Sequence, residues 1–144
     1  LKLHERIINE AMRLFPPATA IGRMATEETE VGGVEVGTKD RLVLALYALH
    51  RNETLWDNPD EFDPDRFLPE NHKDRHRFSF LPFSAGPRIC IGMKFAMLEA
   101  QAVLAAVIRD LRFEPEPDHE VRLRSTITLR PENGMPLKVF PLEG

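Results

Sequence analysis

Several things are scarce in this sequence. Its 144 residues include one cysteine (Cys90), one tryptophan and one tyrosine. A lone cysteine excludes a disulfide framework and favours a reducing, intracellular setting, in the first place the cytoplasm. Basic charge is not in excess: 19 Lys and Arg stand against 23 Asp and Glu, a net charge of −4. That balance argues against nucleic acid as a partner, since such binders show a basic face. There is no signal peptide and no run of about eighteen apolar residues, so nothing in the sequence reads as a membrane-spanning helix. An initiator methionine is also missing, and LKLHERIINEAMRLF reads as helix from its first residue with no cap before it. The expectation is a C-terminal fragment of a single longer domain, with any membrane anchor upstream of residue 1. The composition, 42% hydrophobic and 29% charged, is that of a globular chain able to build a core.

The chain is organised around FLPFSAGPRICIG, Phe80 to Gly92. A Gly- and Pro-rich loop delivers Cys90 to the start of a long apolar segment. If that segment is a helix, its N-terminus carries about half a positive charge and unpaired N–H groups, which suits a thiolate and hence a metal. Taken alone, a single intracellular cysteine is most often a small buried hydrophobe. A nucleophilic cysteine needs a histidine base brought near it, and no spacing here supplies one. What changes the reading is the pattern FxxGxRxCxG, formed by Phe83, Gly86, Arg88, Cys90 and Gly92.

This pattern resembles the haem-binding loop of the cytochrome P450 family, the haem-thiolate monooxygenases. The resemblance implies haem b (iron protoporphyrin IX), with Cys90 as the axial ligand and the catalytic residue. A thiolate there pushes electron density onto iron and favours O–O cleavage. Gly86 would let the loop turn beneath the ring and aim amides at sulfur. Arg88 would hold a propionate through its fork of donors. Phe83 would cover the sulfur, and Gly92 would allow the helix backbone to approach the macrocycle.

In chain order, Leu3, Ile7, Ile8, Met12 and Phe15 keep the helical period until Pro16-Pro17 stops it. Glu10 and Arg13 stand three apart, an ordinary surface ion pair on spacing alone. Within EAMRLFPP they resemble the family's ExxR segment. Residues 18–46 alternate like short strands, with Gly32-Gly33 as a tight hairpin turn and 41–46 as a buried strand. By resemblance, Arg23 would reach the second propionate, and Ala18, Thr19, Ala20 and Ile21 would touch substrate. Residues 50–69 lose periodicity and read as an irregular, packed loop holding Trp56, Phe62 and Phe67. Its PDRF, Pro64 to Phe67, resembles the family's meander, where Arg66 would close a buried network with Glu10 and Arg13.

The mixed charges of residues 70–78 read as a solvated loop. His72 and His76, with Asp74 between them, are expected to be surface residues, because no further ligand completes a metal site. Lys73, Arg75, Arg77 and Lys94 offer positive charge to an acidic electron donor. Residues 93–111 read as a buried apolar core helix. RLRSTITLRPENGMPLKVFPL reads as a terminal hairpin around its Pro-Glu-Asn-Gly turn, with Ile127 a further substrate contact by resemblance.

The implied fold is mainly α with small β-sheets, as in the C-terminal portion of that family. The implied activity is insertion of one atom of O2 into a small apolar organic substrate. NAD(P)H electrons would arrive through a ferredoxin or a flavoprotein reductase. A peroxide isomerase or dehydratase on the same fold, and a non-catalytic haem-binding protein, are the alternatives.

Overall fold

A computed structural model describes residues 2–73 and 75–142. The chain opens with α1 (Lys2–Leu14), ended as expected by Pro16-Pro17. Then come β1 (Ile21–Met24), β2 (Thr29–Val31), β3 (Val34–Val36) and β4 (Arg41–Leu44). The β2–β3 hairpin turns at Gly32 and Gly33, whose φ of 61° and 83° are the positive values that a two-residue turn demands. β1 pairs antiparallel with β4, Ile21 opposite Leu44 and Arg23 opposite Leu42.

The apolar run 41–46 departs from the buried strand expected of it. β4 ends at Leu44, Val43 and Leu44 are exposed, and the buried residue is Leu46, which opens the one-turn helix α2 (Leu46–Leu49). Among the described residues β1 is β4's only sheet partner, and within β4 only Leu42 is partly covered.

The core lies where the end of α1, α2 and the irregular loop 50–69 meet residues 79–81. Leu14, Leu46, Trp56 and Leu81 are buried there. Phe67 and Phe80 meet at a tilt of 59° with 4.9 Å between ring centres, and Trp56 meets Phe80 edge-on at 6.3 Å. Phe62, expected to share this packing, is exposed instead. The PDRF segment forms a 3-10 turn, Pro64–Phe67, capped by the Asp63 carboxylate accepting from the Asp65 N–H. A one-turn helix α3 (Pro69–His72) begins the segment expected to be loop. His76 is exposed; the His72 side chain and Asp74 lie outside the described residues.

α4 (Met93–Asp110) follows the Cys90 loop and packs on α1. It has the expected length but not the expected burial: none of its residues is buried, and Phe95 and Leu98 are 71% and 68% exposed. Its apolar side chains run round the whole helix, whereas α1 covers only one side.

The C-terminal region is more elaborate than one hairpin. β5 (Leu111–Pro115) pairs with β8 (Leu137–Pro141), and β6 (Leu123–Ser125) pairs with β7 (Leu129–Pro131) inside that pair. The Pro-Glu-Asn-Gly turn therefore leads out of β7 toward β8, and the tight turn of the inner hairpin is Thr126–Thr128. The outer pairing links residues more than twenty positions apart, which local alternation does not reveal.

Candidate functional site at the cysteine loop

Backbone bonds shape the loop. The Cys90 N–H donates to the Phe83 carbonyl at 2.9 Å, closing residues 83–90 into one ring. Within it Gly86 takes φ 69°, starts a 3-10 turn (Gly86–Arg88), and accepts from the Ile89 N–H at 3.1 Å. That backbone favours glycine, because a Cβ at such angles crowds the neighbouring carbonyl. Ser84 also has a positive φ, 64°, unusual for a residue with a Cβ. The Met93 N–H then donates to the Cys90 carbonyl, and α4 begins. Cys90 thus sits at the head of an 18-residue helix, its thiol free and exposed.

Around the thiol, Ile89 and Ile91 are exposed apolar residues, Ile91 completely so. Among the described residues the exposed Arg88 guanidinium makes no hydrogen bond or ion pair. Phe83 is half-buried and lines a cavity of about 520 Å³ with Met93 and Met97 of α4. A Cβ at Gly92 would stand 3.8 Å from the Cys90 Sγ, an ordinary contact.

β1 carries Arg23 to this loop. Its Nη2 donates to the Ser84 Oγ at 3.3 Å across 61 positions of sequence. Arg23, Ile21, Ser84 and Ala85 line a common cavity of about 610 Å³. Thr19 is drawn toward Ser125, beside the turn that presents Ile127; Ala18 and Ala20 flank Thr19 in the same stretch.

Between the end of α1 and the irregular loop 50–69 lies a buried charge network. Glu10 and Arg13 are wholly buried and Arg66 nearly so. Arg13 grips Glu10 through two bonds of 2.8 Å, and Arg66 Nε stands 3.3 Å from Glu10 Oε1. The second role of each arginine is to hold loop backbone: Arg13 donates to the carbonyls of His50, Pro59 and Glu61, and Arg66 to those of Asp57 and Asn58. The Asp63 N–H completes Glu10 at 2.9 Å.

Sequence reasoning missed three participants. Arg75 donates to the Arg66 carbonyl and lies 4.1 Å over the Trp56 ring, so it packs into the network and is not a free docking cation. Burial lowers its pKa below the ordinary arginine value. His50 is fully buried, and its Nε2 accepts from the Leu81 N–H at 3.0 Å. Burial first, then the charges of Arg13 and Arg51, lowers its pKa from 6.5 to about 4. Ser84 is the third. Only its place in a Gly- and Pro-rich loop hinted at it.

The family model described as Cytochrome P450 matches residues 1–139, nearly the whole chain. The chain belongs to the cytochrome P450 family. It is 42% identical over 138 residues to cytochrome P450 4c3 of Drosophila melanogaster, covering 95% of this chain and 26% of that protein. It is 41% identical over 140 residues to human cytochrome P450 4V2, covering 96% of this chain and 27% of that protein. Cyclooctatin synthase of Streptomyces melanosporofaciens is 42% identical over 137 residues, covering 95% and 29%. The heme domain of cytochrome P450DA superimposes with a TM-score of 0.90 at 31% identity, over 97% of this chain and 31% of that one. The fold is therefore that of the C-terminal portion of a cytochrome P450, mainly α with small sheets. The chain spans little more than a quarter of the length of the curated relatives it matches.

The residues present suit a haem. An exposed thiol heads a helix, apolar isoleucines flank it, and two arginines lie on or against the same loop. Among the described residues no cluster of three His, Cys, Asp or Glu offers a competing metal site. No helix of the described residues is long and apolar enough to cross a membrane.

Proposed function

We propose that the whole protein is a haem-thiolate monooxygenase that inserts one atom of O2 into a small apolar organic substrate. Two electrons come from NAD(P)H through a ferredoxin or a flavoprotein reductase. Bound at this loop, haem b supplies the iron at which dioxygen is activated.

The contributions of this chain follow from its geometry. Cys90, exposed at the head of α4, would hold the haem iron through its sulfur. The Cys90 N–H bond to the Phe83 carbonyl holds the ligand in place while the sulfur stays accessible. Arg88 and Arg23 would neutralise the haem propionates, each offering a fork of donors. Phe83, half-buried beside Met93 and Met97, would cover the sulfur once haem is bound, which preserves its electron-donating character. Glu10, Arg13 and Arg66 bind one another and the backbone of the irregular loop 50–69, and their part is to hold the scaffold. Lys94, exposed at the head of α4, presents positive charge on the side from which electrons arrive.

The observation that carries this reading is the exposed Cys90 thiol at the helix head, on a ring shaped by the positive φ of Gly86. The test is the carbon monoxide difference spectrum of the reduced, haem-loaded whole protein. A strongly red-shifted Soret band is expected from the wild type and its loss from Cys90→Ala. A variant that kept both the band and the oxygenase activity would refute the assignment.

A further inference from the structure

The turn between β6 and β7 carries Ile127 with 95% of its surface exposed. Strands of three residues each do not make a hairpin that is stable by itself. The base of this one is held by the Glu132 N–H donating to the Arg122 carbonyl at 2.7 Å, and its turn end by the segment that follows α1. The Leu129 N–H donates to the Pro17 carbonyl at 2.9 Å, and Thr19 Oγ1 and Ser125 Oγ share a hydrogen bond of 2.8 Å across 106 positions of sequence. These two bonds straddle the turn, one at each strand. Thr19 is itself anchored, because its carbonyl accepts from the Tyr47 N–H of α2 at 3.0 Å. From Thr19 the chain enters β1, and Arg23 reaches Ser84 of the cysteine loop. Four extended residues span about 13 Å. β1 is thus a short strut with the hairpin turn fastened at one end and the cysteine loop at the other.

We infer that the Thr19–Ser125 hydroxyl pair is a positioning clasp that sets the distance between the Ile127 turn and the cysteine loop, and with it the length of apolar ligand the site accepts. This rests on the haem-thiolate reading. A hydrogen bond between two hydroxyls is directional, so it fixes the turn in one register where an apolar contact would let it slide. Both residues are exposed enough for water to replace a lost partner. Deleting either hydroxyl therefore spares the fold and frees the turn.

The test uses the haem-loaded whole protein as wild type, T19V, S125A, the double variant and T19S. Each is titrated with N-butylimidazole, N-octylimidazole and N-dodecylimidazole, which coordinate haem iron through the ring nitrogen and extend a chain away from it. T19V, S125A and the double variant are expected to share one altered dependence of affinity on chain length. The change is greatest at the longest homologue, about two- to tenfold, the value of one hydrogen bond. T19S, which keeps the hydroxyl, follows the wild type. Profiles that superimpose on the wild type, single effects that add in the double variant, or failure of T19S to rescue would each overturn the clasp. A wild type showing no Soret shift with N-butylimidazole would instead overturn the haem reading. Thermal melts of the same proteins without ligand then decide separately whether the two hydroxyls are coupled.

Discussion

His50 shows how a single side chain is set by what surrounds it. Its ring is wholly buried, and Nε2 must be unprotonated to accept from the Leu81 N–H. Burial first, then the nearby charges of Arg13 and Arg51, disfavour the protonated ring and lower its pKa from 6.5 to about 4; protonation would also break the Leu81 bond. In the unfolded chain the same histidine takes up a proton near 6.5. Between these values the unfolded state binds more protons, so stability rises with pH. Its contribution is complete above pH 6.5 and is lost as pH falls toward 4, amounting to about 3 kcal/mol across the window. Denaturant melts of the whole protein at several pH values between these limits check this. His50→Asn, which keeps an acceptor but does not titrate, should flatten the slope; an unchanged slope would remove His50 as its source. Nothing in the sequence marks this residue, because LHRNE is equally at home on a surface. Gly86 is the opposite case: a glycine inside a Pro-rich loop announces the positive φ it adopts.

At the scale of elements, the Glu10–Arg13–Arg66 network does what helix contacts do elsewhere: it fastens α1 to an irregular loop that has no ladder of its own. Spacing alone makes Glu10 and Arg13 an exposed pair worth a few tenths of a kcal/mol. In the fold both are completely buried, and the magnitude changes accordingly. Glu10→Ala leaves two arginines without their carboxylate in the interior and is expected to cost about 3–5 kcal/mol. Denaturant unfolding of the whole protein measures this; a loss below about 1 kcal/mol would show the network to be dispensable. Arg66→Lys should also destabilise, because a lysine cannot reach Asp57 and Asn58 together as the guanidinium does. The strand assignments were legible where local chemistry decides, as at Gly32-Gly33. They were not legible for β5, whose partner β8 lies beyond an intervening hairpin.

For the molecule as a whole, the balance between buried and exposed apolar surface is the main observation. The core gathers round Trp56, while Ile91, Phe95, Leu98, Val103 and Ile127 all lie open. Large apolar side chains left this open mark surfaces that are normally covered. Residues 1–144 produced alone are expected to self-associate and to bind a hydrophobic dye, with size-exclusion chromatography as the check. A monodisperse, dye-negative monomer would show that the surface tolerates water.

The sequence by itself determined the family, the turn at Gly86 before Cys90, the limits of α1 and α4 and the short hairpin, because helical period, proline stops, glycine turns and the spacing about Cys90 act within a few residues. Tertiary structure decided which charges are buried, that Arg75 stacks on Trp56, that His50 stays neutral, and that Thr19 meets Ser125. These depend on segments far apart in the chain brought within a few ångströms, where burial turns a weak surface pair into a structural requirement and no local pattern carries the information.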